Sequence, residues 1–253
     1  MRRSRLYITT IIPGLIAVFF IGAMVNAHSS AFPCKEYYTQ ETVDSADIVI
    51  NKYIEAIGGK EKLESIRTIY MEGTLNIRGQ KAISKTWIIN NKESRNESTI
   101  NGFTNWSIVR NDSAWSYNPR RGQKFPEPWP ADRIKTSQSG LDIQGTLVDY
   151  KKKGYTIEYK GIDQIEGSDV FKIEEKLNES VTKTFYIDLD SYLIIRVRTK
   201  STTKNRVNYS NTDYSNYQKT KDGYMFPMQM AELKYTIVTV NPDINEALFI
   251  PKK

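Results

Sequence analysis

"TKTFYIDLDSYLIIRVRTK", Thr182–Lys200, holds two runs of alternating residues on either side of an acidic turn. Phe185, Ile187 and Leu189 alternate with Tyr186 and Asp188; Leu193, Ile195 and Val197 alternate with Arg196 and Arg198. Successive side chains of a strand point to opposite faces, so each run has one dry face and one wet face. The aspartates of "DLDSY" supply turn chemistry between them. This is an antiparallel hairpin, the commonest unit of a sheet solvated on one side.

The same period extends outward. "YTIEYKGI" and "SDVFKIEEKL" precede the hairpin; "RVNYSNTDYSNYQK", "GYMFPMQMAELKY" and "TIVTVN" follow it. Nearer the N-terminus, "TIYMEGTLNIRG" places Ile69, Met71, Leu75 and Ile77 on one face, and "KAISKTWIIN" does the same for Ile83, Trp87 and Ile89. "NWSIVR" adds Trp106 and Ile108, and "SAWSYN" adds Trp115 and Tyr117. Asn90-Asn91, Asn101-Gly102 and Asn111-Asp112 are hairpin turn signals between these runs.

Helical pattern is scarce. Asp44 or Ser45 caps a helix whose buried stripe is Ile48, Val49, Tyr53, Ile54 and Ile57. "IEAIGGKEKLESIR" (Ile54–Arg67) carries a double glycine followed by lysine, which invites a phosphate-loop reading. A P-loop follows a strand and continues Gly-Lys-Ser/Thr; here the glycines follow a helix and Glu61 follows Lys60. Gly58-Gly59 is therefore a helix stop, and "KEKLESI" is a second short helical piece. The proline-rich "NPRRGQKFPEPWPADR" (Asn118–Arg133) is a loop that nevertheless holds Phe125 and Trp129. An amphipathic helical stretch is expected between Ala131 and Lys152, with Gly140 and Gly145 weakening it.

The ends and totals bound the function. Arg2, Arg3 and Arg5 precede the apolar run "LYITTIIPGLIAVFFIGAMV", and Val25 and Ala27 suit signal cleavage. Residues 1–27 read as a secretory signal, with an uncleaved membrane anchor as the alternative, because ~20 apolar residues span a bilayer. Residues 28–44 form a flexible arm, and residues 45–253 one domain. Removing three arginines leaves 33 Lys+Arg against 29 Asp+Glu, a charge of about +4, scattered rather than gathered as nucleic-acid binding requires. Cys34 is the sole cysteine, so no internal disulfide forms; Pro33 before it fits a lipidation signal badly. His28 is the sole histidine and falls at the cleavage point, which excludes a Ser-His-Asp triad and a histidine zinc site from the body. Neither cofactor nor metal is expected.

Roughly eleven or twelve strands exceed the ~10 that an open sheet carries without curling or splitting. The expected fold is mainly β: a strongly curved antiparallel sheet forming a half-open barrel, closed by a few α-helices. A β-sandwich is the competing architecture, but it leaves the mid-chain insert without a role.

The order "INKYIEAIGGKEKLESIRTIYMEGTL", "LVDYKKKGYTIEYKGIDQIEGSDVFKIEEKL", "KTFYIDLDSYLIIRV" and "GYMFPMQM…YTIVTVNPDINEALFIP" resembles the exported LolA-like, outer-membrane-lipoprotein-sorting family. The likeness spans about residues 45–251. It implies a half-barrel with an apolar cavity for acyl chains, and a non-enzymatic periplasmic carrier or sensor in a bacterium with two membranes. No position here matches the arginine that latches the lid in carriers of that family.

An acyl chain is held by dry area, at about 0.8 kcal/mol per methylene, so no catalytic group is needed. The candidate lining is Leu75, Ile77, Trp87, Ile89, Trp106, Ile108 and Trp115. Phe125, Trp129, Leu141, Leu147 and Val148 are candidates for a movable cover. Any one of these residues serves equally well as ordinary core. Expected partners are an acylated lipoprotein or lipid, with docking proteins in the inner and outer membranes, no nucleic acid and a monomeric chain. An envelope-stress regulator on the same scaffold and a carboxylate-dependent periplasmic enzyme are the rival readings.

Overall fold

The quoted segment forms its hairpin, as strands Val181–Asp188 and Ile194–Thr203. Asp188 accepts hydrogen bonds from the Ser191 amide (2.8 Å) and hydroxyl (2.7 Å), which ties the turn. Phe185 and Ile187 are buried on the dry side as expected. Past the turn, Ile194 and Val197 are buried, whereas Leu193 and Ile195 are not. The register shifts between Ile194 and Arg196. A bulge of this kind adds one residue, so alternation cannot be carried through it.

The computed structural model describes residues 46–203 and 206–252. The expected signal, the N-terminal arm with His28 and Cys34, and the Asp44 or Ser45 cap lie outside the described residues. Among the described residues there are thirteen strands in one sheet. They are β1 (Thr68–Ile77), β2 (Gln80–Ile89), β3 (Glu93–Ile100), β4 (Phe103–Arg110), β5 (Ala114–Tyr117) and β6 (Glu127–Pro128). The second series is β7 (Thr156–Ile165), β8 (Ser168–Asn178), β9 (Val181–Asp188), β10 (Ile194–Thr203), β11 (Arg206–Lys219), β12 (Met225–Met230) and β13 (Leu233–Val240). Two antiparallel meanders, β1–β6 and β7–β13, are joined by the pairing of β1 with β13. The edges β6 and β7 do not meet, so the curved sheet is a half-open barrel.

Two strands escape the hydrophobic pattern. "ESRNESTI" of β3 has one apolar residue, yet it pairs along its length with β2 and β4. Its charges are matched: Arg95 meets Glu97 at 2.7 Å, and Glu93 meets Arg110 at 3.0 Å. Strand β6 sits inside the proline-rich loop. The segment read as "GYMFPMQMAELKY" is cut at Ala231, whose φ of 49° makes the turn between β12 and β13.

Helix α1 (Ala46–Ala56) is followed by α2 (Lys60–Glu64), with Gly58 and Gly59 at φ 132° and 89° between them. Only glycine takes such angles cheaply, so the pair stops α1 as expected. The buried stripe is Val49, Ile50, Ile54 and Ile57; Ile48 is 45% exposed and points away from the core. The long helix expected from Ala131 ends early. Helix α3 (Ala131–Ser137) passes into a 3-10 turn at Gln138–Leu141, and turns follow, with Gly145 at φ 86° and Asp149 at φ 51°.

Because β6 and β7 lie at opposite edges, the chain between them must cross from one edge to the other. It crosses the concave side, where Leu147 and Val148 join α1 and the strand residues Phe171, Ile173 and Ile187 in the main core. Burial of each such side chain is worth about 1.5–3 kcal/mol.

The seam between the two meanders turns on Gly73. The β1–β13 register shifts between Glu72 and Gly73. A Cβ at Gly73 would run into the Lys234 carbonyl oxygen and come within 2.9 Å of Tyr235 Cα. Backbone on both sides leaves nothing soft to move. Gly73→Ala is expected to destabilise the protein by about 1–3 kcal/mol, the usual cost of overpacking, read as a lower urea midpoint. An unchanged midpoint would show that the seam relaxes freely.

Candidate ligand cavity

Beneath α1 and α2, the concave face encloses a cavity of about 440 Å³, within the ~300–1,000 Å³ typical of small-molecule sites. Ile69 and Met71 of β1, Ile88 of β2, and Ile194 and Val197 of β10 form one wall. Tyr53, Ile57, Leu63 and Ile66 of the helical layer lie opposite. Strand β12 adds Met225, Phe226 and Met230. It pairs with β13 only at Gln229–Lys234 and Met230–Leu233, beside their turn. The flexible thioethers suit a wall that adapts to its contents.

Three of the phenols on this wall are held protonated. Burial pushes the Tyr53, Tyr214 and Tyr217 hydroxyls above the ordinary tyrosine range, and Tyr217 donates to the Ile194 carbonyl at 2.7 Å. Tyr224 donates to the Lys62 carbonyl at 3.1 Å and lies 3.2 Å from the Ser65 hydroxyl, which fastens α2 over the mouth.

One end of the cavity is polar, with Asp142, Thr146, Lys183 and Thr199 on its wall. Glu175, directly across from Lys183 in the β8–β9 ladder, is 0% exposed. Its Oε2 accepts from the Thr146 hydroxyl, and its Oε1 is buried without a partner. Burial pushes this carboxyl up to about 7, against the opposing effects of Thr146, Lys183 and Lys153. Burial likewise lowers the Lys183 ammonium, although Glu175 and Asp142 pull the other way. Lys153 binds Asp142 Oδ2 at 2.6 Å, and Asp142 Oδ1 has no partner.

None of the twelve residues expected to bind or cover a ligand stands on the wall of this cavity. Leu75 shares the inner face but lies further along β1, opposite Ala82. Ile77, at the strand end, borders a separate hollow with Arg78 and Arg121. Trp87, Ile89, Trp106, Ile108 and Trp115 are on the other side of the sheet. There they pack with Ile244, Leu248 and Phe249 from the C-terminal segment as a second apolar cluster. Arg95 and Arg110 donate to the carbonyls of Leu248 (2.8 Å) and Phe249 (3.0 Å), strapping that segment down. Phe125 is 69% exposed. Trp129 packs near Leu141, Val109 and Ala114, with the Arg133 guanidinium 3.4 Å from its ring centre. Leu147 and Val148 are buried in the main core.

A parity signal in the sequence separates the two faces. Arg78-Gly79 makes a two-residue turn, with φ 51° and 80°, so Ile77 pairs with Gln80. Odd residues of β1 therefore face even residues of β2: Ile69 meets Ile88, and Trp87 meets Tyr70. Leu75 and Trp87 cannot share a face. Ile88 was legible as a cavity residue on that ground; Lys183 and Glu175 were not, because a charge on a strand ordinarily faces water.

No family model matches the sequence, and no curated protein matches it. Solved structures do. An outer membrane lipoprotein-sorting protein domain from Vibrio parahaemolyticus is 15% identical, with 81% of this chain and 97% of that one covered and a TM-score of 0.50. A LolA superfamily protein from Nitrosomonas europaea is 12% identical over 81% and 97%, with a TM-score of 0.52. The fold is LolA-like. A DUF1329 family protein from Desulfovibrio piger also shares it, at 14% identity, 81% and 96% coverage, and a TM-score of 0.50. In the LolA-like frame, the cavity lies between the curved sheet and the helical layer laid across its mouth.

Proposed function

We propose that this protein is an exported, non-enzymatic carrier that takes acyl chains of lipoproteins, or a comparable hydrophobic ligand, into its half-barrel. The observation that supports this most is the unfilled, largely apolar space of about 440 Å³ under α1 and α2. The ligand class comes from the lipoprotein-sorting name of a solved relative with this fold. Export to the periplasm rests on the arginines and apolar run of the N-terminal sequence. Docking proteins in the two membranes are the expected partners. Ten methylenes supply about 8 kcal/mol at ~0.8 each, which only offsets the ~4–15 kcal/mol lost on association. A second chain or a head-group contact must therefore set the affinity.

Native mass spectrometry of protein purified from its own envelope is the direct test, and co-purifying acylated species are the expected result. Clean protein that also takes up no lipid in vitro would end the carrier reading. Met71→Trp places an indole in the cavity and is expected to weaken binding of a fluorescent long-chain probe at least roughly tenfold, or ~1.4 kcal/mol, with circular dichroism unchanged. Equal binding by the folded variant would place the ligand elsewhere.

A further inference from the structure

The cavity is amphipathic, and its polar end sets a lysine on the wall beside a buried glutamate that stands just behind it. Lys183 stands on the wall, with Thr146, Asp142 and Thr199 also lining that end. Glu175 Oε1 and Asp142 Oδ1 are buried acceptors without partners. Glu175 is 0% exposed beside the half-buried Lys183, and a glutamate is almost never this enclosed without a reason in packing or ligand binding. Two carboxylates and two ammonium groups, Glu175 and Asp142 with Lys183 and Lys153, balance in charge when all are ionised. An anion brought in beside Lys183 would leave one excess negative charge in a site of low polarity, which one proton taken from solvent cancels.

We propose that this end receives the anionic head group of a long-chain amphiphile, with Lys183 as its counter-ion and Glu175 taking up one proton from solvent as the ligand enters. The proposal rests on the carrier reading and names the chemistry of its ligand. No covalent bond changes. Glu175 suits the role because burial already makes its carboxyl nearly as stable protonated as ionised near neutral pH. The groups facing it are Lys183 on β9, Tyr53 on α1, and Asp142, Thr146, Lys153 and Tyr155 on the connection across the mouth. Of these, the two lysines favour its ionised form and Asp142 opposes it. The Thr146 hydroxyl is close enough to donate to Oε2.

Dodecanoate, dodecan-1-ol, acetate and inorganic phosphate distinguish the cases, titrated separately into the purified protein at pH 6 and pH 8. Dodecanoate is expected to bind more tightly than dodecan-1-ol, and roughly tenfold more tightly at pH 6 than at pH 8, because proton uptake by a carboxyl titrating near 7 is coupled to binding. Dodecan-1-ol should show no such pH dependence. Glu175→Gln should bind dodecanoate equally at both pH values. Lys183→Met should erase the preference for dodecanoate over dodecan-1-ol. If that variant misfolds, Lys183→Met/Glu175→Gln removes both facing charges together and must erase it too. Equal binding of dodecanoate and dodecan-1-ol by the unaltered protein would overturn the head-group assignment while leaving the cavity reading intact. Acetate or phosphate binding as tightly as dodecanoate, through Lys183, would overturn the amphiphile in favour of a free anion. Binding of neither long-chain probe would overturn this inference and the carrier reading together.

Discussion

Phe249→Ala is expected to lower stability by about 3–5 kcal/mol, the range for emptying a fully enclosed aromatic site. Phe249 is 0% exposed although it lies in the last turn before the C-terminus. It fills the outer-face cluster with Trp106 and Ile108, beneath carbonyls held by Arg95 and Arg110. Asn245 accepts from the Ala247 amide at 2.9 Å and sets the turn that delivers the ring. Truncation leaves a void that these clamps prevent from collapsing. The transition midpoint should fall by roughly 6–20 °C, at ~2–4 °C per kcal/mol for a domain of this size. Tryptophan fluorescence should report it, since Trp87, Trp106 and Trp115 surround the site. A loss below about 1 kcal/mol, no more than a typical point mutation costs, would mean that the C-terminal segment is not packed on the sheet.

The second large effect is a dependence on pH. The Glu175 carboxyl is raised to about 7 from 4.5, chiefly by burial. Between those values the folded protein holds a proton that the unfolded chain has released. The resulting stabilisation is complete below about pH 4.5 and is lost as pH rises through 7, in total roughly 3 kcal/mol at ~1.4 kcal/mol per unit. Asp47, Asp149 and Asp163 shift the other way, lowered first by hydrogen bonds from Lys151, Lys60 and Lys172 respectively. Their contributions are lost only on acidification below about pH 4, outside this window. Urea unfolding at pH 5, 6, 7 and 8 should show stability falling with pH in the unaltered protein and no such fall in Glu175→Gln. Parallel curves for the two proteins would show that Glu175 is ionised throughout. The same group would thus link the stability of the empty protein to the uptake of an anionic ligand.

Much of the fold was legible because strands announce themselves by alternation and turns by composition. The hairpin at Thr182–Lys200, the turn at Asn101-Gly102 and the stop at Gly58-Gly59 all formed where those signals stood. Strand β3 was not legible, since its order comes from neighbours on both sides and from charge pairs rather than from apolar residues of its own. The helix expected after Ala131 was overruled at Gln138–Gly145 by the need to cross between the sheet's two edges. The candidate lining stands off the wall of this cavity for a sharper reason. The tryptophans of β2, β4 and β5 are apolar because the C-terminal segment covers them, not because they face the hollow.

Taken alone, the amino-acid order determined that this chain makes an open antiparallel sheet of many strands with a short helical layer, and, in strands without a bulge, β9 among them, which residues lie together. Only the folded molecule decided which side of the sheet is concave, where Glu175 is buried beside Lys183, and what the C-terminal segment covers. A two-residue period reads the same whichever way the sheet curls. The direction of curvature is chosen by bulges such as those at Gly73 and Ile194, and by where the connections and the tail come to rest.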